Sequence, residues 1–154
     1  GILSGTKFNG HSAESLINDA AQKSGKILMP YFSITGTNDG LWFHEPNPAE
    51  ENGIWVAWKT YASLNGIPFP EKADFSTYPI FGVPMQNTGK VVTNKGEGIT
   101  VEYGSLLKDG MPLIRINAVI DYGHWNFKPA ARMMWDYFKM WSRNAKTKEL
   151  EYHP

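Results

Sequence analysis

The chain contains no cysteine. A disulfide framework and a thiolate metal site are therefore excluded, while the redox compartment stays open. There is no excess of either charge, since fifteen Lys and Arg balance fifteen Asp and Glu. No basic run is interleaved with aromatics, which argues against nucleic acid or an anionic membrane surface as the main partner. No apolar run approaches the ~18 residues of a membrane span, and the first residues do not follow a signal-peptide pattern. Internal repeats and low-complexity segments are missing as well. The four histidines, His11, His44, His124 and His153, have no zinc-like spacing, and no Asp-rich loop suggests calcium, so neither a metal nor another cofactor is expected. Apolar and aromatic residues are plentiful, 42% and 14% of 154 positions. That is enough for one domain with a sizeable core.

Periodicity divides the chain into helix, strand, helix, strands and helix. Ala13, Leu16, Ile17, Ala20 and Ala21 fall at helical spacing, with Ser12 placed to cap the first turn. Residues 27–35 form a mostly apolar strand in which Pro30 must sit near the start or forgo a ladder bond. A turn follows at Gly36-Thr37-Asn38-Asp39-Gly40. Asn47-Pro48 signals the start of a second helix, with Glu50 and Glu51 at its positive end and Ile54, Trp55, Trp58, Tyr61 and Ala62 on one stripe. Asn65-Gly66 and Pro68 stop it. Residues 67–88 are read as an irregular excursion, and 91–93 and 99–103 as short strands. Asp109-Gly110 predicts a hairpin into a strand over 113–120. In that strand Ile114, Ile116, Ala118 and Ile120 mark a buried face, and Arg115, Asn117 and Val119 a mixed one. A closing helix is predicted over 129–142, carrying Ala130, Ala131, Met134, Trp135, Phe138 and Trp141. Residues 143–154 read as a polar, frayed tail.

Two loops carry candidate chemistry because each follows an apolar strand and precedes a helix. One offers Asp39 and the other His124, within Asp121-Tyr122-Gly123-His124-Trp125-Asn126. Catalytic groups gather beyond the carboxyl ends of strands in open α/β sheets, so the two would meet if their strands share one sheet. A carboxylate on one imidazole nitrogen fixes the tautomer and stabilises the imidazolium formed when the other nitrogen takes a proton. Taken singly, Asp39 also fits a plain Asx-type turn, His124 a surface loop and Asp121 a turn. No Gly-x-Ser-x-Gly elbow is present. The nearest approach, Gly10-His11-Ser12-Ala13-Glu14, has Glu14 where a small residue is needed, so Ser12 is at best a weak nucleophile candidate beside its role as helix cap. Trp42 and Trp125 are candidates to line a substrate subsite, against the alternative that each is core.

The run from Pro30 to Asp39 resembles the strand and acid-bearing loop of α/β-hydrolase esterases of the polyhydroxybutyrate-depolymerase and feruloyl or acetylxylan esterase type. Trp58, Tyr61 and Asn65-Gly66-Ile67-Pro68 resemble the helix that follows, and Gly123-His124-Trp125-Asn126 with Met134-Trp135-Asp136-Tyr137-Phe138 resemble the histidine loop and closing helix. The resemblance implies a partial α/β-hydrolase sheet with flanking helices over residues 1–142, lacking the N-terminal strands and the nucleophile elbow. It implies Asp39 as triad acid and His124 as triad base, a small ester or ester-decorated polysaccharide as substrate, and a periplasmic or secreted setting. The chain is then expected to be the C-terminal part of a serine esterase, inactive alone. One flank of its sheet would be an exposed apolar edge, open to the missing N-terminal half or to a second copy. The rival readings are a non-catalytic carbohydrate-binding module, for which six Trp and seven Tyr would be stacking platforms, and an interaction scaffold of the same shape without chemistry.

Overall fold

The structure is a computed structural model that describes residues 7–8, 11–12, 28–40, 42–43, 52–93 and 98–154. Two dipeptide strands, β1 (Lys7–Phe8) and β2 (His11–Ser12), pair antiparallel, with Ser12 opposite Lys7. The helix expected after Ser12 lies outside the described residues, as does the expected start at Asn47-Pro48.

The main sheet has four strands: β3 (Tyr31–Gly36), β4 (Gln86–Thr93), β5 (Ile99–Lys108) and β6 (Met111–Val119), in the order β3-β6-β5-β4. β3 and β6 run parallel, in register from Tyr31↔Ile114 to Gly36↔Val119. The other two pairs are antiparallel. The protein is thus a mixed α/β fold with a mixed sheet. Pro30 stands just before β3, so it costs no ladder bond. The hairpin between β5 and β6 turns through Asp109 at φ 51° and Gly110 at φ 80°. Two left-handed residues match the twist of the flanking strands, which is why Asp-Gly reads as a turn signal.

Helix α1 (Gly53–Leu64) begins at Asn52, whose side chain accepts from Ile54 N at 2.8 Å. The described N-cap of this helix is therefore Asn52. At the other end Gly66 adopts φ 62°. Its N–H donates to Ser63 O (3.0 Å) and that of Ile67 to Ala62 O (2.8 Å), a Schellman closure that consumes the last carbonyls. Asn65 is 2% exposed and fully employed. It accepts from Met29 N (2.7 Å) and donates to Met29 O (3.0 Å) and Tyr61 O (2.8 Å), tying the helix end to the segment that enters β3.

The α1 stripe of Trp55, Trp58, Tyr61 and Ala62 packs on Ile114, Ile116 and Ala118 of β6, with Leu106, Phe81 and Val83 completing this core. Across the sheet a second cluster gathers Val101, Val119, Phe127 and Ala130. The strand face expected to be mixed is hence largely covered, with Asn117 and Val119 both buried. Asn117 Nδ2 donates to Ser33 O at 2.7 Å and Trp58 Nε1 to Ser33 Oγ at 3.2 Å, so the polar atoms buried beside β3 are paired.

Two expectations are corrected. The closing helix, α2 (Ala130–Phe138), is shorter than predicted, and its Trp135 is 64% exposed rather than core. Residues 143–154 are not frayed: β7 (Trp141–Arg143) and β8 (Leu150–Tyr152) form an antiparallel hairpin. It is held by Trp141 against Tyr152 (ring centroids 4.7 Å), by His153 N on Met140 O (2.7 Å), and by the Arg143 guanidinium donating to Leu28 O. The two edges of the sheet differ in how far their apolar side chains are covered. In β3, at one edge of the sheet, Tyr31, Phe32 and Ser33 are buried, whereas β4 at the other edge exposes Val91 and Val92.

Candidate active site

Because β3 and β6 are adjacent and parallel, the loops that leave their carboxyl ends emerge side by side. Backbone bonds then lace them together. Thr37 N donates to Val119 O (2.9 Å), Asn38 N to Tyr122 O (2.9 Å), and Asp121 N to Thr37 Oγ1 (2.8 Å). Asp121 takes φ 56°, in keeping with a turn residue. Gly36 makes the approach possible: a Cβ there would lie 2.0 Å from Tyr122 O and 2.9 Å from Gly123 O. Real Cβ atoms do not approach a carbonyl oxygen so closely, so any side chain at 36 would push the histidine loop away from the acid loop.

This lacing brings together two residues 85 positions apart, with His124 Nδ1 lying 2.8 Å from Asp39 Oδ2. An ionised carboxylate only accepts, so Nδ1 carries the proton and Nε2 is left as an acceptor. The environments of the two partners differ. The Asp39 side chain is 9% exposed and that of His124 is 70% exposed. A sheltered carboxylate thus holds an imidazole whose remaining surface is open. Asp39 is fixed by its own turn, in which its N–H donates to Gly36 O (3.1 Å) and its carbonyl accepts from Trp42 N (2.8 Å). Chemically, the pair can accept a proton at Nε2 and stabilise the resulting imidazolium.

Trp125, next to His124 in sequence, is 81% exposed. Trp42 is packed among aromatic core residues. It is 7% exposed, its ring centroid 5.0 Å from that of Phe43 and 6.1 Å from that of Trp58, because the acid loop folds back over α1. Ser12 is described only as a backbone position in β2. Among the described residues no serine is hydrogen-bonded to His124, and no group of three or more His, Asp and Glu could hold a metal. No described helix is long and apolar enough to cross a membrane. A cleft of about 420 Å³ lies elsewhere, lined by Tyr78, Phe81, Val83, Met85, Lys90 and Tyr103 among others, and includes neither Asp39 nor His124.

Gly36 and Thr37 hold the two loops together and are the positions that residue-by-residue reading missed. Both stand in the quoted loop, but their roles depend on a partner loop more than eighty positions away. Comparison with family models, curated proteins and solved structures finds no match to this chain.

Proposed function

We propose that Asp39 and His124 are the acid and base of a serine-esterase triad, of the α/β-hydrolase type, acting on carboxylic esters. The reading rests on one observation, the 2.8 Å Asp39–His124 bond at the carboxyl ends of adjacent parallel strands. In the reaction a serine hydroxyl attacks the ester carbonyl while His124 Nε2 takes its proton. The same nitrogen returns the proton to the departing alcohol, and a water then repeats the sequence on the acyl-enzyme. Asp39 holds the imidazole in the Nδ1–H tautomer throughout. No described serine is hydrogen-bonded to the His124 ring, so the nucleophile has to be brought to Nε2 from elsewhere. The ester is small or is an ester group on a polysaccharide, and Trp125 gives its apolar or ring portion a surface beside the base.

A second reading, a carbohydrate-binding module, draws on the exposed Trp125 and Trp135. The two are separated by incubating this chain with a short-chain nitrophenyl ester and a fluorophosphonate probe, then repeating the assay on the longest natural form of the protein. The esterase reading expects the chain alone to be silent and the longer form to lose turnover in His124→Ala. Turnover by the isolated chain that Ser12→Ala abolishes would make Ser12 the nucleophile. Tight glycan binding lost in Trp125→Ala, with no hydrolysis in any form, would favour the module.

A further inference from the structure

β4 ends the main sheet and pairs on one side only, with β5. Among the described residues the outward N–H and C=O groups of β4 meet no partner. Val92 is 65% exposed and Val91 42%, so the edge is apolar as well as open. Proteins ordinarily blunt such an edge with proline, with a lysine left charged, with a covering loop or with a bulge. β4 contains no proline. Its one charged side chain, Lys90, is matched within the chain by Glu102 at 3.0 Å. A register shift between Gln86 and Gly89, with Asn87 at φ 47°, protects the first part of the strand and leaves 89–93 in regular register with β5.

This regular segment, Gly89-Lys90-Val91-Val92-Thr93, has Val91 at its centre. Two copies related by a two-fold axis perpendicular to the sheet would pair it antiparallel with itself. Val91 then faces its own counterpart, Lys90 faces the partner's Val92, and Gly89 faces the partner's Thr93. On one face the Lys90 stem covers the partner's Val92 while its ammonium stays with Glu102. On the other the two Val91 side chains meet as a cross-strand pair. Charge favours a copy over a charged peptide. Lys90 and Glu102 cancel, and the chain carries no net charge, so no field opposes the approach of two copies.

We propose that the protein pairs with a second copy of itself through β4, joining the two main sheets edge to edge about Val91. A two-fold contact uses the same edge of both copies and so closes at two. The proposal does not depend on the esterase reading, and its failure would leave the Asp39–His124 pair untouched.

The test is sedimentation of the whole chain over a range of concentrations. The mass should rise with concentration from one copy to two and stop there. Val92→Lys sets a like charge opposite the partner's Lys90 and should weaken association several-fold, whereas Val92→Glu sets an opposite charge there and should keep it. Trp135→Ala, at another exposed aromatic, should leave association unchanged. A single copy at every concentration, a mass that climbs past two, equal loss in both Val92 variants, or loss in Trp135→Ala would overturn the proposal. If Val92→Lys does not fold, hydrogen exchange of the wild-type chain decides: the outward amides of 89–93 should slow as concentration rises, and rates that stay constant would contradict the pairing.

Discussion

A Cβ on Gly36 would come within 2.0 Å of the backbone oxygen of Tyr122, so the absence of a side chain at one position sets the distance between two loops. The Asn38–Tyr122 and Thr37–Asp121 bonds close over that contact, and the Asp39–His124 bond lies on the far side of them. The candidate site is built from backbone proximity first and side-chain chemistry second.

Gly36→Ala should therefore cost stability and separate the pair. The clash is with backbone, which cannot rotate away, so overpacking of about 1–3 kcal/mol is expected, towards the upper end. Urea unfolding measures the loss. The His124 ring resonances should lose their dependence on Asp39 in the same variant.

Asn65→Ala should be among the most damaging polar substitutions. It would strand Met29 N, Met29 O and Tyr61 O, all bonded to one buried amide. Unsatisfied buried groups cost about 1–3 kcal/mol each, so a fall in the denaturation midpoint at unchanged slope is the expected result. Asn65→Asp, which keeps the acceptor for Met29 N and loses both donors, should be damaging too.

The turn at Asp74 should be sensitive to acid. Hydrogen bonds from Ser76 first, and then from Thr77, lower its carboxyl from 3.8 to about 2. A depressed folded-state value means that the stabilisation is fully present above about 3.8 and is lost as pH falls towards 2. NMR titration of the Asp74 carboxyl should show this directly. Ser76→Ala should raise the midpoint towards the ordinary value.

The β7–β8 hairpin should protect its amides. In hydrogen exchange the His153 N–H, bonded to Met140 O, and the Asn144 N–H, bonded to Glu149 O, should exchange more slowly than the exposed turn between them. Arg143→Ala should speed exchange in the hairpin by removing its anchor on Leu28 O. A frayed tail would show no protection at either amide.

The legible parts of the fold are those whose cause is local. Asp109-Gly110 and Asn65-Gly66 announce themselves because left-handed backbone restricts which residues fit. The carboxyl-end loops bearing Asp39 and His124 could be paired from the sequence because each follows an apolar strand. What could not be read depends on distant partners. β7 and β8 are three residues each, too short for periodicity to show, and their support comes from Trp141 on Tyr152 and Arg143 on Leu28 O. The apolar positions of the closing helix were broader than the face it buries, so Trp135 could not be told from Tyr137, which is 3% exposed. Trp42 stayed open between subsite and core because its burial arises only when the acid loop folds back over Trp58. Gly36 reads as a turn glycine until Tyr122 is beside it.

The account stands on His124 acting as a base oriented by Asp39, and steady-state ester hydrolysis by the longest natural form of the protein tests this most directly. His124→Ala should lower kcat by roughly 10²–10⁴-fold with KM little changed, and Asp39→Asn should lower it in the same direction. Hydrolysis at the full rate in His124→Ala would contradict it.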